Sequence, residues 1–393
     1  MVHRMSNQSL KIGLLADIQG EFGVVGDALL HGTQLAIEEI NAAGGVKGRQ
    51  MELIHLDPNM DIVRYQECAR RLVEQEKVDL VIGGILSAQR ETVRAVVNRT
   101  PALYMYTNVY EGGVCDASMI GIGAVPEQQL MTSIPWMLKK FGKRVYTIAI
   151  DNPFGRGSAA WTRDLVTGQG GEMVGEEFFP IGSSQFAPSV ETIKQVKPDW
   201  IMTLNGGASQ DAFFLQAAQA GVSLPMLSSF KIMLTYDHKR LPPPVLDKMH
   251  VAASWVEEMD TPAARAFKER WRARYPNEIY ISAMGYNAYA AIYMYKMLVE
   301  KAASASKADL RKVIASGDAC IDAPGGKMRI DPKSQHTAQH MRLFAVGADH
   351  CVSEVEDFGM VEPYWLGEAG CDLTKEDPKT QYSLSKLPNA KGK

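Results

Sequence analysis

Residues 11–45 read KIGLLADIQG EFGVVGDALL HGTQLAIEEI NAAGG, and their order decides the fold class. Lys11-Ile12-Gly13-Leu14-Leu15-Ala16 is a short apolar run that stops at Asp17, as a buried parallel strand does. A loop through Gly20, Gly23 and Gly26 follows. A helix comes next, with Leu29, Ala36, Ile37 and Ile40 on one stripe. Gly44-Gly45 ends it, because glycine readily takes the left-handed conformation at a helix C-terminus.

The same alternation continues outward. Residues 51–56 predict a second strand, followed by a helix carrying Ile62, Tyr65, Ala69, Leu72 and Val73 on one face. A third strand at 78–83 precedes a helix from about Gln89, and Pro101 introduces a fourth strand at 102–107. Parallel strands joined by crossover helices are the natural result. Near residue 144 the order restarts. Residues 144–150 predict a strand ending at Asp151, then a glycine loop and a helix closed by Gly170-Gly171. A strand at 173–180, a helix from about Pro188 and a strand at 197–202 complete the echo of residues 51–82. Repetition at this scale predicts two similar α/β domains, each a doubly wound parallel sheet. A chain of 393 residues is long enough for two cores.

Composition narrows the function. With 46% hydrophobic and 22% charged residues and a net charge of −3, the chain has no excess of positive charge for nucleic acid. No apolar stretch approaches the ~20 residues that span a bilayer. The first loop is GxxGxxG rather than GxGxxG, so no dinucleotide cofactor is expected. Neither a phosphate-binding P-loop nor a GxSxG elbow occurs, and His336 and His340 read as solvated surface histidines rather than as a metal pair. The expectation is a protein that is not an enzyme and has no cofactor or metal. Five cysteines without a CxxC pair are too scattered for a disulfide framework, although Cys351 and Cys371 share one region and could pair.

In open parallel sheets, ligands sit at the carboxyl ends of the strands, and two such lobes place the site in the cleft between them. Ser87 follows the third strand at the start of a helix, where a hydroxyl can hold a carbonyl or carboxylate oxygen or simply cap the helix. Tyr106 and Asn108 end the fourth strand beside it. Asp151, Phe154, Asn205 and Gly206 occupy the corresponding strand ends of the second lobe. Each of these residues, taken alone, reads equally well as a turn or core residue.

These residues, with Ile12-Gly13-Leu14-Leu15 and the LAIEEINAAGGVKGR segment at 35–49, resemble the periplasmic branched-chain amino-acid-binding family, whose fold is the type I solute-binding fold. Tyr110-Glu111-Gly112 and residues 321–327, IDAPGGK, are similar to its urea and short-chain amide branch, which includes a cytoplasmic amide sensor. The resemblance implies two lobes joined by a three-segment hinge, with crossings near 122–128, 255–262 and 330–338. The first lobe is then 10–124 with 260–334, the second 125–259 with 335–366, and 367–393 a polar tail on the surface. It also implies the substrate-binding component of an ABC-type uptake system, closing on a small polar solute and delivering it to a membrane permease. A cytoplasmic ligand sensor acting on a regulatory partner is the alternative. The first nine residues contain no apolar signal core, so a periplasmic location follows from the resemblance alone. Ser87 matches the family's ligand-binding serine and Tyr106 an aromatic of the amide branch. Asn108, the segment 151–156 and Ser228-Ser229-Phe230-Lys231 depart from its pattern, the last lacking the acidic residue that commonly meets an α-ammonium. The solute is thus a urea, a short-chain amide, an amino acid or another carboxylated small metabolite.

Overall fold

A computed structural model describes residues 9–207 and 211–382. Five strands form the first sheet: β1 (Leu10–Leu15), β2 (Met51–Leu56), β3 (Leu80–Gly83), β4 (Leu103–Tyr106) and β6 (Met119–Gly121), in the order β2-β1-β3-β4-β6 and all parallel. A short strand β5 (Val114–Cys115) lies outside it. The second sheet contains β7 (Arg144–Ile150), β8 (Glu172–Phe179), β9 (Trp200–Leu204), β10 (Met226–Ser228) and β11 (Met249–Ala253), parallel and ordered β8-β7-β9-β10-β11. Both lobes therefore have the doubly wound order 2-1-3-4-5, in which the chain reverses its direction of winding between the first and third strands. The central strands β3, β4 and β9 are buried at every position, as expected where helices cover both sides, whereas the edge strands β2 and β8 carry Glu52, Glu176 and Glu177 and are only partly buried.

The second sheet is extended by antiparallel strands β12 (Cys320–Ala323), β13 (Gly326–Ile330), β14 (Thr337–Val346) and β15 (Val352–Val361). Strands β12 and β13 lie within the segment 260–334 that was expected to complete the first lobe, yet they hydrogen-bond into the second sheet. What this segment brings back to the first lobe is the helix Ala283–Lys301, packed on the helix Gly23–Ala42. The crossing is close because both helices carry glycine there: a Cβ on Gly32 would lie 2.1 Å from the Gly285 carbonyl oxygen. Where the chain passes between lobes, two segments run side by side. Gly121 N donates to Gln335 O (2.9 Å), Gln128 Nε2 to Thr337 O (2.7 Å) and Thr337 Oγ1 to Ile122 O (3.0 Å). His336 belongs to this seam. It is buried, bonded to Tyr110, and not the surface histidine expected; burial pushes its imidazole down to about 4.

The C-terminal segment corrects two further expectations. The expected surface tail is anchored as far as residue 382: Cys371 and Leu373 are buried among exposed and half-buried neighbours, and β16 (Thr380–Gln381) pairs with β5. Residues 383–393 of the expected tail lie outside the described residues. Cys371 is bridged to Cys115, not to Cys351, which is a free and exposed thiol. The sequence suggested Cys351 by proximity, but Cys371 is carried back onto the first lobe, where its Cα lies 5.9 Å from that of Cys115. Among the described residues, no helix is long and apolar enough to cross a membrane.

Two outcomes follow. Denatured without reductant, the chain should show three titratable thiols, those of Cys68, Cys320 and Cys351. The variant Cys371→Ser should lower stability by about 2–4 kcal/mol in chemical denaturation. The second outcome concerns Glu127, whose Oε1 accepts from Trp365 N at 2.9 Å. Burial pushes its carboxyl from the ordinary 4.5 up to about 7. The folded chain thus keeps this proton to higher pH than the unfolded chain, and stability falls as pH rises between those two values. Glu127→Gln removes the effect, so its melting temperature relative to the native chain should rise from pH 5 to pH 8, by the equivalent of on the order of 2–3 kcal/mol.

Candidate functional site

A pocket of about 510 Å3, its open mouth included, lies between the lobes at the carboxyl ends of both parallel sheets. The first lobe contributes Phe22 and Val25 after β1, Ile85, Leu86 and Ser87 after β3, and Tyr106, Asn108 and Val109 at the end of β4. The second contributes Ile150, Asn152 and Phe154 after β7, Gly206 after β9, and Phe230, Leu234 and Thr235 after β10. The two lobes meet here. A Cβ on Gly206 would stand 3.7 Å from the Phe22 ring across the cleft, an ordinary contact distance, and a tighter 3.0 Å from Ile150 Cδ1 of its own lobe.

The loop after β3 is set by backbone and by one side chain. Gly83 has φ +120°, a conformation that side chains oppose, and a Cβ there would meet Leu15 O. Gln89 Oε1 then accepts from both Ile85 N (2.7 Å) and Leu86 N (2.8 Å), while its Nε2 donates to Asp17 Oδ2 at 3.3 Å. Asp17 is itself buried and bonded by Tyr65 and by Met60 N (2.7 Å). Two side chains of β4 and its loop complete the clamp, because Tyr106 Oη and Asn108 Nδ2 both donate to Ile85 O, at 2.7 and 2.8 Å. Ser87 is thereby held at the first turn of its helix, donating to Glu111 Oε2 at 2.8 Å. Glu111 is paired with the buried Arg90 guanidinium, Nη2 to Oε1 2.9 Å, and that charge holds its carboxyl below the usual range against the opposing effect of burial.

Across the cleft, the loop after β10 is braced from behind. Lys231 is fully buried, with Nζ 3.3 Å from Asp211 Oδ1, and Arg240 Nη1 lies 2.8 Å from Asp211 Oδ2. Ser228 Oγ accepts from the N–H groups of Phe230 and Lys231, at 3.2 and 3.1 Å. The Phe230 ring is thus fixed edge-on to Phe154, with centres 5.7 Å apart.

Of the seven residues singled out in the sequence, Ser87, Tyr106, Asn108, Phe154 and Gly206 line this pocket. Asp151 does not: it is turned outward in an ion pair with Arg156 (2.7 Å), while its neighbours Ile150 and Asn152 face the cleft. Asn205 is buried one residue behind Gly206, and neither its Oδ1 nor its Nδ2 has a hydrogen-bond partner. Sequence reasoning missed the other lining residues, among them Phe22, Ile85, Ile150, Leu234 and Thr235, and gave Phe230 no place in the lining. For Phe22 a signal existed, since a large apolar residue between Gly20 and Gly23 in a loop after a buried strand has no helix to pack under. Among the described residues, no cluster of three or more His, Cys, Asp or Glu is arranged for a metal ion.

A family model described as periplasmic binding protein matches residues 9–350. A Leu/Ile/Val-binding protein of Rhizobium johnstonii is 23% identical over 347 residues, 86% of this chain and 92% of its own. Leu/Ile/Val-binding protein homolog 7 of Brucella suis is 23% identical over 231 residues, 55% of this chain and only 57% of its own length. Among solved structures, an ABC-transporter solute-binding protein of Rhodopseudomonas palustris in complex with 4-hydroxybenzoate superimposes with a TM-score of 0.79 at 18% identity, covering 92% of this chain and 100% of that one. A branched-chain amino acid transporter substrate-binding protein of Streptococcus pneumoniae, in complex with isoleucine, gives 0.77 at 19% identity, with 88% and 99% covered. At these identities the superpositions speak for the fold.

Ser87→Ala and Asn108→Ala should each weaken binding of the pocket's solute by about 1–3 kcal/mol, since each removes a polar partner from an enclosed site. Asp151→Ala should leave affinity unchanged. Titration calorimetry on the three variants separates these outcomes.

Proposed function

From the periplasmic binding protein family, to which this chain belongs, we propose that it is the solute-binding component of an ABC-type uptake system and that its two lobes close on one small solute. A single observation carries the reading: the pocket is built from both lobes at once, at the carboxyl ends of two sets of five parallel strands in the same order. A site divided in this way is complete only when the lobes are together, so ligand binding and lobe closure are one equilibrium. The partner is then a membrane permease that receives the solute from the closed form. A periplasmic location is supported by the Cys115–Cys371 bridge, since structural disulfides belong to oxidising compartments.

For the solute we favour a small, uncharged carbonyl compound with a hydrocarbon body: a short-chain amide ahead of urea or an amino acid. Phe22, Phe154, Phe230, Ile85, Ile150 and Leu234 are more apolar wall than the sequence suggested, and a bare urea leaves most of it uncovered. An α-ammonium would call for an acidic partner. The lining contains none, and Asp151 is engaged elsewhere.

A thermal-shift screen over amides, ureas, amino acids and aromatic acids should raise the melting temperature most with an amide of three to six or so carbons, because only the folded state binds. Small-angle scattering with that solute at saturation should give a smaller radius of gyration than without it. An unchanged radius would remove hinge closure from the reading. Leucine, isoleucine or valine outranking every amide would remove the proposed ligand.

A further inference from the structure

The hydroxyl of Ser87 has one proton, and the structure accounts for it. Glu111 Oε2 lies 2.8 Å from Ser87 Oγ. The other carboxylate oxygen of Glu111 is held by Arg90 Nη2 at 2.9 Å, with Gln381 Nε2 3.4 Å away. A carboxylate beside a guanidinium is ionised, and an ionised carboxylate only accepts. Ser87 is therefore the donor in this bond, and what it turns to the pocket is its lone pairs. The geometry leaves little room for an exchange of roles. Both Glu111 and Ser87 are buried, at 6% and 5% exposure, so a Glu111 oxygen abandoned by the serine has no water to replace it. Arg90 does not relieve the pocket of this polarity. It is fully buried outside the lining, with its guanidinium 4.4 Å from the centre of the Tyr110 ring and 5.4 Å from that of Tyr106.

Resting on the ligand reading above, we propose that Glu111 is the specificity-determining residue of the site: by holding the Ser87 proton it makes Ser87 an acceptor, and so selects solutes that present an N–H or O–H donor there and rejects carboxylates. Glu111 does not touch the solute and acts as a positioning residue through the serine. A primary carboxamide satisfies Ser87 with its NH2 group. The matching acid, of nearly the same size and shape, brings oxygen lone pairs against oxygen lone pairs, with a second carboxylate directly behind the serine. To be held by Ser87 it would have to take the proton that Glu111 needs.

The test uses isosteric pairs, isobutyramide with isobutyrate and benzamide with benzoate, titrated by calorimetry at pH 7 into the native chain, Glu111→Gln and Ser87→Ala. An apolar pocket disfavours any anion, so the decisive quantity is how the amide-to-acid affinity ratio changes between chains. In the native chain each amide should bind about tenfold or more tightly than its acid. In Glu111→Gln the new side-chain amide is itself able to donate to Ser87, which frees the serine proton, and the ratio should fall by about tenfold. Ser87→Ala, which leaves the Arg90–Glu111 pair in place, should weaken the amides several-fold and leave the acids unchanged; this keeps the test open should Glu111→Gln not fold. Acids binding the native chain as tightly as their amides would overturn the inference. So would an amide-to-acid ratio unchanged in both variants, although amide binding itself, and with it the proposed function, would then stand. If neither member of either pair binds while leucine does, the ligand reading fails and this inference falls with it.

Discussion

The ion pair of Arg90 and Glu111 is the interaction around which the first lobe's half of the site is arranged. Two charges removed from water are tolerated only where each is paired and hydrogen-bonded, and here the requirement organises everything adjacent. The carboxylate accepts the hydrogen bond of the Ser87 hydroxyl, and the guanidinium lies against the rings of Tyr110 and Tyr106. The Glu111 carbonyl accepts from Trp161 Nε1 of the second lobe at 3.2 Å. Gln381, brought in by the C-terminal segment, completes the shell. Pocket, hinge-side tyrosine, opposite lobe and chain end all meet one charged pair.

A shell of this kind also explains why the pocket wall can be apolar without the site losing orientation. Aromatic and branched residues supply most of the buried contact, and the direction of binding is left to a few polar atoms whose hydrogen bonds are fixed from behind. In the second lobe, the buried Lys231 and Asp211, with the half-buried Arg240, do for the Phe230 loop what Arg90 and Glu111 do for Ser87. The amide of Asn205, sealed beneath Gly206, has no hydrogen-bond partner in this conformation, and the same holds for Arg90 Nη1 and Ser229 Oγ close to the cleft.

The doubly wound order of both lobes could be read from residues such as Lys11–Ala16 and Val145–Ile150, because burial on two faces leaves a continuous apolar run that ends abruptly in a polar loop. Ser87, Tyr106 and Asn108 could be found for the same reason: they stand where such runs stop. Asp151 stood in an equivalent place and faces away, since at a strand end successive residues point to opposite sides and the tally of positions does not say which side is the cleft. Glu111 was visible only as part of a resemblance. Its partner Arg90 is 21 positions away on a helix, and nothing in the spacing marks a charge pair that forms across two loops. Cys371 failed to signal its partner on similar grounds, because contact through a folded-back chain end has no periodicity to follow.

That folded-back end has a consequence for the molecule as a covalent object. Cys115 and Cys371 are 256 positions apart, and the segment between them includes every strand of the second sheet. The ring can close only once Cys371 has been synthesised and has folded back onto the first lobe. A protease that cuts any single loop inside it leaves two fragments that still travel as one particle until a reductant reaches the bridge. Integrity of this chain is therefore judged differently by a gel run with reductant and one run without it.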